Sequence, residues 1–253
     1  MHSVAVSWIV FALIFSGSLV GMALRRALPV EHLGQEAKDT MRLAIGLVVT
    51  MTGLVLGMLV SSAKSYYDGQ KNKVSEMSSE IILLNNCLET FGPDSEQIRF
   101  YARETVEAAI DRIWPKEKSS LSQLKPKEND IFLDDQLQSL VPKNDMQASA
   151  KAQAVALLQS LRKSNWLMYL ESEQASIPML LLVVVTSWLV IIFISFGIFA
   201  PPNPTVIGTL IICAMAVSGA ILIILEMYSP FTGVLRISSA AVRDALNQLA
   251  KVR

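Results

Sequence analysis

Four uncharged or nearly uncharged apolar blocks constrain this 253-residue chain more than any other feature. They run over 4–24, 43–63, 177–200 and 206–227, and only the last carries an acid, Glu226 near its end. Each is about 20 residues, long enough to cross roughly 30 Å of hydrocarbon as a helix and too long for an ordinary buried core helix. No basic stretch precedes the first block, where Met1-His2-Ser3 leads straight into the apolar run, and Arg25 and Arg26 follow it. That order suits a retained membrane helix better than a cleaved signal peptide. The expectation is an all-α integral membrane protein with four transmembrane helices in two hairpins and a helical region between spans two and three. Hairpin one covers 1–64, the central region 65–176, hairpin two 177–228 and a C-terminal segment 229–253.

An even number of spans puts both termini and the central region on one side. That side carries Lys64, Lys71, Lys73, Arg162, Lys163, Arg236, Arg243, Lys251 and Arg253 close to the spans. The opposite side carries Arg25, Arg26, Lys38 and Arg42. Cytoplasmic loops hold the excess of Lys and Arg, so the termini and central region are expected in the cytoplasm. The chain has 22 basic and 22 acidic residues, which removes the electrostatic case for nucleic acid. Its two cysteines, Cys87 and Cys213, fall in different regions and are not expected to pair.

The central region is helical by pattern. Met77, Ile81, Leu84 and Leu88 share one face of a helix over Val74–Thr90. Phe91-Gly92-Pro93 ends it, with the glycine in the C-cap role, and Asp94 is placed to cap a second helix reaching Trp114. Pro115 stops that helix. The charged stretch 116–130 has no periodicity and predicts a mobile loop. A long helix from Asp145 to Ser176 then leads to span three.

One helix face of span two carries Gly46, Thr50, Gly53, Gly57, Ser61 and Lys64, at spacings of 4, 3, 4, 4 and 3. Two meanings stand side by side. Small residues allow close helix packing, and they also leave room for a water-filled lumen touched by hydroxyl groups. Glu226 is the intramembrane acid, and such groups are costly unless paired. It either pairs at headgroup depth, with Arg236 or Lys64, or serves a functional site. Asp130, Asp134 and Asp135 with Glu128 lack the spacing of a calcium loop, and His32 with Glu31 and Glu36 is a thin ligand set, so no metal site or cofactor is expected. No arrangement supports enzyme chemistry.

Several segments together resemble one family. They are Leu84-Asn85-Asn86-Cys87-Leu88 through Phe91-Gly92-Pro93, then Arg99 and Trp114-Pro115, and later Pro178, Trp188 and Phe193. Ser195-Phe196-Gly197-Ile198-Phe199-Ala200-Pro201, Asn203 and Thr205 follow, and then Glu226-Met227-Tyr228-Ser229-Pro230-Phe231-Thr232-Gly233 with Leu235-Arg236-Ile237-Ser238-Ser239. From about Leu43 to Leu249 this order resembles the bestrophin-like family of bacterial and plant membrane proteins. The resemblance implies kinship with bestrophins, homopentameric channels with four membrane helices per subunit and a pore lined by the second. It implies a homo-oligomeric ion channel, a pentamer before a tetramer, in a bacterial inner membrane, with ions of undecided sign and membrane lipid as partners. The run of phenylalanines at the bestrophin pore neck is missing from span two. A non-conducting scaffold or sensor whose central helices bind a partner is the competing expectation.

Overall fold

The computed structural model describes residues 2–29, 34–114, 129–174, 179–201 and 203–250. All regular structure among them is helical: α1 (His2–Ala27), α2 (Gln35–Glu89), a 3-10 turn (Gly92–Ser95), α3 (Glu96–Ile113), α4 (Asn129–Ser139), α5 (Asp145–Gln174), α6 (Met179–Phe199), α7 (Pro204–Met227) and α8 (Ala240–Ala250). Four of these, α1, α2, α6 and α7, are long and apolar enough to cross a membrane. The chain divides into two compact units, one of residues 1–67 and 176–229, the other of 68–175 and 230–253. The helix expected over Val74–Thr90 and the span expected over 43–63 are one uninterrupted helix, because the single Gly69 between them is tolerated in a helix and no proline interrupts it. Of the expected loop 116–130, residues 116–128 lie outside the described residues, and Asn129 and Asp130 open α4.

In the first unit α1 is the helix against which α6 and α7 both pack. Gly21 and Gly197 make the α1–α6 crossing. A Cβ on Gly21 would stand 2.1 Å from the Ile194 carbonyl oxygen, and one on Gly197 would stand 2.2 Å from that of Ser18. Only glycine permits so close an approach of two backbones. The buried Ser7 hydroxyl donates to the Ser218 carbonyl at 2.8 Å, joining α1 to α7. The Arg25 guanidinium donates to the Ala200 carbonyl at 2.5 Å, just past the C-terminus of α6, where a cation is favoured by the helix dipole. The apolar core of this unit holds Ile14, Val185, Ala214, Ile221 and Ile224, with Leu59 and Ala63 from α2. Pro204 occupies the first turn of α7, where a missing N–H costs nothing.

In the second unit, α2 ends at a glycine in the left-handed region, Gly92 at φ 57°. The fully buried Ser95 hydroxyl donates to the Leu88 carbonyl at 2.6 Å and lies 2.9 Å from that of Gly92, satisfying the end of α2. Asp94 does not cap the next helix as its position suggested. It lies inside the 3-10 turn and accepts from Lys143 Nζ at 2.5 Å, and α3 begins without a side-chain cap. Asn144 takes the capping role for α5, its Oδ1 accepting from the Gln147 N–H at 2.8 Å. The apolar core gathers Leu88, Phe91, Ile98, Ala102, Leu137 and Ala154. Polar ties between α2 and α5 surround it. Glu171 accepts from Gln70 Nε2 at 2.7 Å and pairs with Lys73, and Glu80 accepts from the Ser160 hydroxyl at 2.5 Å.

Candidate functional site

The membrane-length part of α2 has three faces. Ile45, Val48, Thr52, Val55, Leu56, Leu59 and Ala63 recur every three or four residues and turn to the core of the first unit. Thr52 is buried there because its hydroxyl donates to the Val48 carbonyl at 2.7 Å, leaving no unmet donor. Leu47, Met51, Leu54 and Met58 form a second face of large exposed side chains. The third face carries Gly46, Thr50, Gly53, Gly57, Ser61 and Lys64, all exposed. At about 100° per residue, its centre lies roughly 140° from the packed face.

Among the described residues, none covers the glycines of that third face. A Cβ added at Gly46, Gly53 or Gly57 meets no atom within 4 Å. Among the described residues, the close-packing role that the small stripe suggested is therefore not met at these glycines. Inside the chain that role belongs to Gly21, four residues after Gly17 in α1, and to Gly197 of α6; the α1 pair carried the spacing signal, but spacing does not say which distant helix it will touch. The Thr50 hydroxyl donates to the Gly46 carbonyl at 2.8 Å, so its proton is committed and its lone pairs remain. Across the four spans, buried shares of the most apolar stretch are 33% for α1, 28% for α6 and 28% for α7, against 11% for α2. By this measure the second span is the one its own protomer covers least.

Glu226 sits in the last turn of α7 and is 4% exposed. Its main-chain carbonyl accepts from the Tyr228 and Ser229 N–H groups, which close the helix. The Tyr228 hydroxyl donates to Ser62 Oγ at 3.2 Å, and the Tyr228 ring stacks on Tyr66 at 5.7 Å. These contacts bring the end of α7 beside the turn of α2 that holds Ser61 and Lys64. Lys64 and Glu226 each make a polar or electrostatic contact of their own.

A family model for the Bestrophin-like domain matches residues 12–242. The chain belongs to the Bestrophin-like family. Membership points to a bestrophin-type channel or a related function, and with four membrane-length helices it makes this a membrane protein. No curated protein and no solved structure matches the chain. The match covers α1 from residue 12 onward, all of α2 and the whole of α6 and α7, so the candidate face and Glu226 both lie inside it.

Among the described residues no cluster of three or more His, Cys, Asp or Glu side chains is placed to hold a metal. Asp134, one of the acids near 130, pairs with Arg162 at 2.6 Å. His32 and Glu31 lie outside the described residues. Cys87 is buried in the second unit, and burial pushes its thiol pKa up.

Proposed function

We propose that this Bestrophin-like chain is the subunit of a homo-oligomeric ion channel, a pentamer in preference to a tetramer, in a bacterial inner membrane. Its four spans form two hairpins, its termini and central helices face the cytoplasm, and Gly46, Thr50, Gly53, Gly57, Ser61 and Lys64 of α2 line the pore. The observation that supports this is the uncovered small face on the least covered span. Lipid has no use for such a face. Large apolar side chains fill hydrocarbon better, and exposed glycine backbone gains nothing there. A closed ring of copies gives it either a lumen or a neighbour. Oxygen atoms of Thr50, Ser61 and the bared backbone then replace part of an ion's hydration.

An uncharged tube separates ions weakly, so charge at the Lys64 level dominates selectivity. A ring of ammonium groups attracts anions within a screening length of about 10 Å, and Glu226, about one turn away by the Tyr228–Ser62 contact, offsets it if it faces the same water. The test is purified protein in planar bilayers under a salt gradient, parent against Lys64→Glu. The expected result is a conductance whose reversal potential moves toward cations in the variant. Conductance with an unmoved reversal potential would remove Lys64 from the pore. No conductance over a range of voltage, pH and calcium would leave the scaffold or sensor.

A further inference from the structure

The second unit is packed at one end and hollow beside it. Between α2, α3 and α5 lies a partly open cavity of about 80 Å³. Val74, Met77 and Ile81 of α2 form one wall, and small residues of α3, including Ala109, form another. Trp114 closes part of it and is held rigidly. Its indole N–H donates to the Ile237 carbonyl at 2.8 Å, and its ring meets Phe231 edge to face at 5.6 Å. The polar side chains on the wall are few: Thr105, Asn165 and Arg162. Arg162 carries no uncompensated charge, because Asp134 pairs with it at 2.6 Å.

We propose that this cavity is a binding site for a small, neutral, mainly apolar molecule with one hydrogen-bonding group, of the class of a simple phenol or alcohol. The apolar wall disfavours water, which needs two to four polar partners to settle in a cavity. An engineered apolar cavity of about 150 Å³ in another protein takes benzene, so about half that volume with an open side holds the body of a compact ring. Internal pairing of Arg162 and Asp134 removes the incentive for an ionised ligand. Asn165 and Thr105 supply the amide and hydroxyl that orient one polar group. The site lies wholly in the second unit and is independent of any pore.

The test uses the full chain in lipid nanodiscs and the fluorine NMR signal of 4-fluorophenol, with fluorobenzene as the partner lacking a hydroxyl. Expected is a saturable component of one site per chain, displaced by phenol, above a non-saturable lipid background. Ala109→Phe fills the cavity and abolishes the saturable component for both probes. Asn165→Leu weakens 4-fluorophenol about tenfold and fluorobenzene less than twofold, the signature of one lost hydrogen bond. Only non-saturable uptake in the parent, or saturable binding that survives Ala109→Phe, overturns the proposal. Equal weakening of both probes by Asn165→Leu overturns the hydrogen-bonding part. Should Ala109→Phe fail to fold by circular dichroism, Ala109→Val must show the same loss in smaller measure.

Discussion

Replacing Gly21 by alanine isolates the close crossing that holds α1 against α6. The new methyl would sit 2.1 Å from the Ile194 carbonyl oxygen, 2.9 Å from its carbonyl carbon and 3.0 Å from the Gly197 Cα. All three are backbone atoms, so no side chain can swing away to make room. Relief requires α6 to withdraw by about 1 Å, and a gap of that size forfeits a quarter to a half of the dispersion energy of every pair across it. Overpacking typically costs about 1–3 kcal/mol, and a backbone clash belongs at the upper end, so about 3 kcal/mol is expected. Gly57→Ala is the control, since its methyl meets nothing within 4 Å of the protomer and no clash opposes the roughly 0.5–1 kcal/mol that alanine gains over glycine inside a helix. The assay is reversible unfolding of the purified protein in mixed micelles, followed by far-UV circular dichroism. Gly197→Ala should cost as much as Gly21→Ala, and the double variant less than the sum, because one withdrawal relieves both clashes. A Gly21→Ala protein within 0.5 kcal/mol of its parent, or strict additivity with Gly197→Ala, would refute the crossing as the source of this rigidity.

Three further outcomes are expected. Gly57→Leu should leave the single chain folded yet weaken assembly by about 1–3 kcal/mol, read from the oligomer distribution in native mass spectrometry; an unchanged distribution and conductance would turn that face to lipid. Cys87 should react with N-ethylmaleimide more slowly than a cysteine placed at the exposed Ser79 of the same helix, and its rate should rise only at higher pH, because burial raises the thiol pKa and keeps the reactive thiolate scarce. Identical rates and pH midpoints would contradict that. In a background lacking Cys87 and Cys213, Ser79→Cys should resist an impermeant thiol reagent in intact cells and label after lysis, while labelling of intact cells would invert the proposed topology.

Run length made the helices legible. An uncharged run of about 20 residues has few fates, and the Phe91-Gly92-Pro93 break contains the one residue type that adopts positive φ without strain. Tertiary partners were less legible. Asp94 had the right identity and position for a cap, but a lysine 49 residues away took its carboxylate. Gly53 and Gly57 had the packing spacing yet meet nothing within 4 Å, whereas Gly21, which shares that spacing with Gly17 of α1, packs against Gly197 of α6. The cavity could not be anticipated, because an apolar helix face looks the same in sequence whether its neighbour fills the space or leaves it hollow. For the candidate site, sequence showed which residues share a face but not what lies opposite.

What lies opposite can be argued from the angles on α2. A helix that lines a central pore needs its own bundle behind it, about 180° from the axis, and something to cover its flanks. Here the bundle-facing residues and the small residues lie roughly 140° apart, with Leu47, Met51, Leu54 and Met58 between them on one flank. That flank cannot face the water of a pore, since four large apolar side chains would dewet it, so it must face lipid or a neighbouring copy. If it faced lipid, the small face beside it would be half in lipid as well and would gain nothing from being small. If it packs on the next copy, the small face is carried round to the axis. In the proposed channel the large flank is the intersubunit contact, so Leu54→Ala should loosen the assembly without altering the ion preference, whereas Lys64→Glu should alter the preference without loosening the assembly. The opposite pattern in native mass spectra and reversal potentials would exchange the two faces.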